Sequence, residues 1–343
     1  MPSYQATKVN LFWKKFLREA PGIFSRQPKQ RVQLAAFGKH PAWDDHIDDI
    51  GLESESLLLA KQVLYVDGVG GQINLGEWEN LPPGQSLAQF QHVFVWKRGE
   101  AFLLGKIGAS RDGKNRSKYP LVLTVHCQGI PFFWALEHLL PVLDNAEGQC
   151  KEAVSAEEVR YLLKMTSEVL NRLVAQPLVK EQDQVSGDNL LERLQLNQDE
   201  EAAGRIIYAL KTSLSRYLAS AKREDVENLR PGQIRLPAIG SLAALSLSFW
   251  TQVLESQLGK DVPLLLTLPM HESWLDATVG EPSAREFFCL RAGTSALPPV
   301  HEVPYTVDET FRKDNQALLM ALLQSKDGFV PPVEAGNGVK KWF

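Results

Sequence analysis

Imidazole and carboxylate side chains crowd into one short segment of the chain, residues 40–49. Imidazole suits zinc or iron, and carboxylate oxygens suit hard cations. His40, Asp44, Asp45 and His46 are therefore candidate ligands for a metal-dependent hydrolase. Their spacing matches neither an EF-hand, which needs alternate acids and a glycine at its sixth position, nor HExxH. The alternative is that the aspartates cap helices or face solvent.

A second polar segment, residues 110–118, holds four cations and one acid. Guanidinium and ammonium groups beside a glycine-permitted backbone can grip a phosphate or a partner's carboxylate. This pattern is typical of a nucleotide- or phosphopeptide-binding module that uses Arg111, Lys114, Arg116 and Lys118. The alternative is a solvated loop that turns at its Asp-Gly pair.

Other catalytic patterns find little support. The glycines of segment 68–71 follow the predicted helix instead of preceding one, so they indicate a turn and not a dinucleotide loop. The chain has no GxSxG elbow. Cys127 directly follows His126 on a predicted strand, where neighbours face opposite sides and cannot act as a nucleophile and base pair. The sequence predicts a non-enzyme without cofactors.

Composition places the chain among ordinary globular proteins, with 44% hydrophobic and 23% charged residues. A net charge of -4 gives no electrostatic reason to expect nucleic acid as a partner. Three cysteines without CxxC spacing favour a reducing compartment. No signal peptide or continuous apolar span of ~20 residues is present, so we predict a cytoplasmic protein.

The first 31 residues are basic, with seven Lys or Arg against one acid. Residues 9–20 show helical periodicity with Phe12, Trp13 and Phe16 on one face. Such a helix can make peripheral contact with an acidic membrane, but we favour packing against the body, because one short helix without a lipid anchor binds membranes weakly.

Strands and helices alternate irregularly along the rest of the chain. Predicted strands are 32–37, 92–96, 101–107, 121–126, 262–268 and 286–291, with a hairpin turn at 97–100. Predicted helices are 53–66, 131–143, 156–175, 189–221, 241–258 and 308–324. This order predicts an α/β protein, with α+β as the alternative, in which helices flank a mixed β-sheet and a largely helical lobe lies in the second half.

The predicted organisation divides the chain into five parts. A basic N-terminal helix and linker (1–31) precede an α/β core (32–150). A helical lobe (151–235) and a helix–strand part that completes the core (236–325) follow. The last part, 326–343, is expected to be a flexible tail.

The two polar segments together resemble a known family. Segment 37–46, FGKHPAWDDH, is similar to the FGKxPxxGDF motif of the TagF (ImpM) proteins of bacterial type VI secretion. Segment 110–121 is similar to that family's later (S)RDxxGRxYPL motif, and the match covers about residues 32–140. The matching positions are Gly38, Lys39, Pro41, Asp45, Arg111, Asp112, Arg116, Tyr119 and Pro120. Asp44 and His46 replace the family's glycine and aromatic residue, which is typical of a divergent member.

The resemblance implies a compact α/β protein without catalytic activity. It implies a post-translational brake on secretion assembly that acts through protein contacts, in a pathway that also uses a threonine kinase, a phosphatase and a forkhead-associated scaffold. Our own physical expectation is that Asp45 pairs with Arg116 or Arg111 and joins the two segments into one surface.

Overall fold

The computed structural model describes residues 30–176, 190–196, 199–221 and 231–324. The strands of this part form one seven-stranded sheet in the order β1-β4-β3-β2-β6-β7-β5, and every neighbouring pair is antiparallel. They are β1 Arg31–Gly38, β2 Gln91–Arg98, β3 Ala101–Gly108, β4 Leu121–Gln128, β5 Gly232–Pro237, β6 Leu264–Pro269 and β7 Trp274–Val279.

Helices cover both faces of this sheet, which confirms the α/β class, but the sheet is antiparallel throughout and not mixed as predicted. The first, α1, is continuous and consists of an α-helical part Glu55–Ala60, a π-helical part Lys61–Val69 and a second α-helical part Gly70–Leu75. The others are α2 Phe132–His138, α3 Leu140–Glu152, α4 Ala156–Val174, α5 Leu190–Arg193, α6 Glu200–Ala221, α7 Ala243–Leu258, α8 Glu309–Asp314 and α9 Gln316–Gln324. Short 3-10 segments occur at Gly240–Leu242 and Ala284–Leu290.

Alternation along β1 shows how the two faces differ. Val32, Leu34 and Ala36 belong to a large apolar core shared with residues of α3, α4, α6 and α7. Ala35 and Phe37 point the other way, into a smaller core with α1 and the Ala284–Leu290 segment. The helices of the predicted lobe lie on this sheet, with α4 against β1 and α6 against β5.

The predicted turn at residues 68–71 is wrong, because α1 runs through it. The helix begins after Ser54, whose hydroxyl accepts the N–H of Leu57, and ends at Gly76 with a φ of +68°. A Cβ at Gly68 would lie 2.5 Å from Cδ2 of Phe287. The glycine therefore allows an aromatic ring to pack against the helix and does not end it.

Two predictions in the C-terminal part are also wrong. The predicted strand 286–291 is instead part of the 3-10 segment Ala284–Leu290 and its C-cap, because Ser283 and Glu286 make a capping box that begins a helical turn. Strands β5 and β7 were not among the predicted strands. Each of these strands carries a charged residue at its centre, which interrupts the apolar run by which a buried strand is predicted.

The remaining elements follow the predictions with shifted bounds. The β2–β3 hairpin turns at Gly99 and Glu100, so both strands are longer than expected. The helical stretch predicted over 189–221 is interrupted between α5 and α6, and α8 and α9 divide the last predicted helix. In the ranges described, no helix combines the length and apolarity needed to cross a membrane. The predicted helix 9–20 and the tail from 326 lie outside the described residues.

Candidate functional site

The sheet brings the two motif segments side by side. Gly38 at the end of β1 is paired with Leu121 at the start of β4, so the loop after one strand meets the loop before the other. The backbone N–H of Lys39 donates to the carbonyl oxygen of Pro120 at 3.1 Å. Gly38 has a φ of +116°, and a Cβ there would lie 2.2 Å from that same oxygen. Only glycine allows the two loops to approach this closely.

Four alternating charges join the loops. The Lys39 Nζ lies 2.6 Å from Oδ2 of Asp112 and 2.7 Å from Oδ1 of Asp45. The Arg116 Nε lies 2.7 Å from Oδ2 of Asp112, and its Nη2 lies 3.2 Å from Oδ1 of Asp45. The predicted pair of Asp45 and Arg116 is therefore confirmed, and Lys39 with Asp112 completes a four-residue network that the sequence did not indicate.

The network is buried on one side and open on the other. The side chains of Lys39 and Asp112 are 5% and 0% exposed, whereas those of Asp45 and Arg116 are 65% and 53% exposed. Burial raises the pKa of Asp112, but hydrogen bonds from Lys39 and from the Arg116 backbone and side chain outweigh it and hold this pKa far below the ordinary value. Burial likewise lowers the pKa of Lys39, and its two carboxylate partners more than reverse this.

Asp112 also folds the basic loop around itself. Its Oδ1 accepts the backbone N–H groups of Lys114 at 3.0 Å and Arg116 at 2.9 Å. Asn115 takes the left-handed conformation, with a φ of +62°, at the tip of this turn. The N–H of Gly113 donates to the Trp43 carbonyl at 2.7 Å, which adds a backbone bond between the two loops.

Each cation proposed to bind phosphate has a partner within the protein. Arg111 donates to Oδ1 of Asn115 at 3.0 Å. Lys114 lies 3.8 Å from Asp44, and Lys118 lies 3.1 Å from Glu79. Arg116 belongs to the network described above. A phosphate would have to compete with these partners, most of which are carboxylates.

The four residues proposed as metal ligands are not brought together. The Nε2 of His40 lies 2.6 Å from the carbonyl oxygen of Cys150, and its Nδ1 accepts the N–H of Ala42, so both ring nitrogens are occupied in a neutral ring. Burial lowers the pKa of His40, which agrees with that neutral form. His46 instead contacts Asp45 at 3.1 Å. Within the described ranges, no three His, Cys, Asp or Glu side chains are grouped so as to hold a metal ion.

Three aromatic rings border the network, and one of them, that of Tyr65, was not among the site residues predicted from the sequence. His46, Tyr119 and Tyr65 contact one another with ring centroids 5.3 to 5.7 Å apart. Tyr65 comes from the π-helical part of α1, and its buried hydroxyl has no hydrogen-bond partner among the described residues. Irregular π-helical turns occur often at functional sites. No local sequence signal identifies Tyr65, because it comes from a different element.

The remaining residues considered for catalysis are structural. Burial raises the pKa of the Cys127 thiol well above its ordinary range, so it is not a nucleophile. Its neighbour His126 bonds through Nδ1 to the hydroxyl of Ser54 at 3.0 Å.

The motif residue Pro41 is exposed at the first loop, where its carbonyl lies near Gly113.

The fold and the site therefore define an α/β protein whose two polar loops are tied by ion pairs. No protein-family model matches the chain, and no curated protein is significantly similar to it.

Proposed function

We propose that this protein is a non-catalytic cytoplasmic regulator that restrains the assembly of a type VI secretion apparatus through protein contacts, as TagF proteins do. The observation that carries the proposal is the four-residue network. It joins the two segments that resemble the TagF motifs, and every one of its members is a motif position.

The chemistry of the network favours a role in holding the two loops in position over a role in catalysis. A general acid or base needs a pKa near the working pH. Hydrogen bonds from its cationic neighbours hold the pKa of Asp112 far below that range, and the bond from Lys39 lowers the pKa of Asp45 as well. The carboxylates therefore stay ionised at neutral pH and fix the positions of both loops.

One cation on this surface differs from its neighbours. Arg111 is exposed, and it donates to the neutral amide of Asn115, whereas Lys114, Arg116 and Lys118 contact carboxylates. Asn115 orients the guanidinium group without neutralising it. A partner carboxylate fits this position best, because arginine binds carboxylates through two parallel hydrogen bonds. We therefore expect an acidic surface on the partner, with a forkhead-associated scaffold or a kinase or phosphatase component as the first candidates.

The test has a cellular arm and a binding arm. In the native cell, deletion of the gene should increase the frequency of assembled secretion sheaths, and overproduction should decrease it. The tagged full-length protein should capture a secretion component after cross-linking. Arg111→Glu should reduce this capture strongly, whereas Lys164→Glu, the same charge change at an exposed position of α4, should not. Unchanged sheath frequency after deletion would refute the secretion role. Equal capture by both variants would refute the Arg111 contact.

A further inference from the structure

A small pit lies on the sheet face that α1 covers. Trp96 of β2 is paired with Leu103 of β3, which is paired in turn with His126 of β4, so these three side chains form a row on one face. Ser56 and Leu59 of α1 close the row from above. The space enclosed has a volume of about 30 Å³.

Two buried polar atoms at this pit lack a partner. The Nε1 of Trp96 and the Nε2 of His126 make no hydrogen bond within the described part of the chain. Both residues line the pit. Most buried polar side-chain atoms in proteins have a partner, either in the protein or in an ordered water molecule. Because both residues line the same small space, a molecule bound there is the candidate partner for both nitrogens.

The hydrogen bonds of Ser54 determine what these atoms offer. The Ser54 hydroxyl oxygen accepts the N–H of Leu57 at 3.4 Å, and it lies 3.0 Å from Nδ1 of His126. A hydroxyl can either donate to Nδ1 or accept from it. With the Ser54 hydroxyl as the donor, the ring proton of a neutral His126 lies on Nε2. Burial lowers the pKa of His126 and keeps the ring neutral. An indole nitrogen only donates, so in this tautomer both unpaired atoms are donors.

The volume is large enough for a water molecule, because a cavity needs on the order of 10–15 Å³ of such space to hold one. A water oxygen has two lone pairs and accepts two hydrogen bonds. We propose that the pit is a binding site for one ordered water molecule, which accepts hydrogen bonds from Trp96 Nε1 and His126 Nε2.

This water would help to position the helix that carries Tyr65. The chain of bonds runs from Trp96 through the water, His126 and Ser54 to the backbone N–H of Leu57 in the first turn of α1. Strands β2 and β4 are thereby tied to the beginning of α1. The proposal concerns a positioning site, and it does not depend on the secretion role.

The experiment uses the full-length protein labelled with ¹⁵N. Long-range ¹⁵N–¹H spectra should show His126 protonated on Nε2, and the Trp96 indole proton should show a nuclear Overhauser effect to a long-lived water. Trp78 provides the matched internal control, because its indole N–H donates directly to the Phe288 carbonyl at 3.0 Å. It should show no such effect.

A variant and a crystal structure complete the test. Trp96→Phe keeps a ring in the pit but removes one donor, and it should increase the exchange rate of the Leu57 amide several-fold. A high-resolution crystal structure of the wild-type protein should show the water within hydrogen-bonding distance of both nitrogens. A dry pit, a proton on Nδ1 of His126, or equal water effects at Trp96 and Trp78 would overturn the proposal. The wild-type measurements decide the matter even if the variant does not fold.

Discussion

Two buried ion-pair clusters in this molecule differ in what lies around them. The first is the network of Lys39, Asp45, Asp112 and Arg116, which reaches the surface. The second joins Arg235 and Asp276, which face each other in register on β5 and β7 with side chains 1% and 3% exposed.

The second cluster is closed. Arg235 binds both carboxylate oxygens of Asp276 at 2.8 Å, and its remaining N–H groups donate to the carbonyls of Cys289, Ala292 and Leu297. It thereby fastens the end of the Ala284–Leu290 segment to the edge of the sheet. No donor of this guanidinium remains for a ligand, so the cluster serves the fold.

The network at the motif loops has the same chemistry but only one buried half. Lys39 and Asp112 hold the loops in place, while Asp45 and Arg116 present charge to solvent. A buried ion pair by itself therefore does not mark a functional surface. A cluster can contact a partner only when part of it remains exposed while its buried half holds the loops in position.

Breaking the closed cluster should have the largest effect. Arg235→Met leaves Asp276 buried without its partner, and we expect the free energy of unfolding to fall by about 3–5 kcal/mol. Urea denaturation measures this. Arg98→Met, which removes a partly exposed pair with Glu281, is the control and should lose at most about 1 kcal/mol. Similar losses in both variants would contradict the structural role of Arg235.

Breaking the buried half of the open network should cost less. Lys39→Met removes one of two cations from Asp112, but Arg116 remains, so we expect a loss of about 2 kcal/mol. Lys61→Met, which removes an exposed pair with Asp49, is the control and should change little. A loss as large as that of Arg235→Met would show that the network is as closed as the other cluster.

The open network should also make stability depend on acid. The pKa of Asp112 is lower in the folded protein than in the unfolded chain, so the unfolded state binds more protons as the pH falls. The stabilisation is complete above the unfolded value of about 4 and is lost as the pH falls toward the folded pKa. Denaturation series below pH 5 should show this decline, and Lys39→Met should weaken it. An unchanged slope in the variant would argue against Lys39 as a cause of the shift.

The smallest effect on stability is expected for the exposed half of the network, Asp45 and Arg116. Asp45→Asn and Arg116→Gln each remove one partner of the same pair, so the double variant should lose less than the sum of the single losses. Both sites are largely exposed, so the coupling should be small and should weaken in high salt. Strictly additive losses would mean that the pair does not join the loops.

Local sequence patterns predicted the features that depend on near neighbours. Periodicity placed the β2–β3 hairpin, the strand β4 and the helix α4, because these patterns act within one element. The resemblance grouped the two motif segments, and their opposite charges predicted that Asp45 pairs with Arg116 or Arg111. The structure shows the pair with Arg116.

Which groups are buried, and which partners they contact, depends on how distant segments pack together. Lys39 and Asp112 are 73 positions apart in sequence, and each reads as an ordinary surface charge until the β1–β4 pairing brings their loops together. Strands β5 and β7 were not predicted for the same reason. A charged residue is stable inside a sheet when it pairs with an opposite charge on the next strand, and the local sequence does not show that partner. Burial and partners are set by register between distant segments, and local sequence does not record that register.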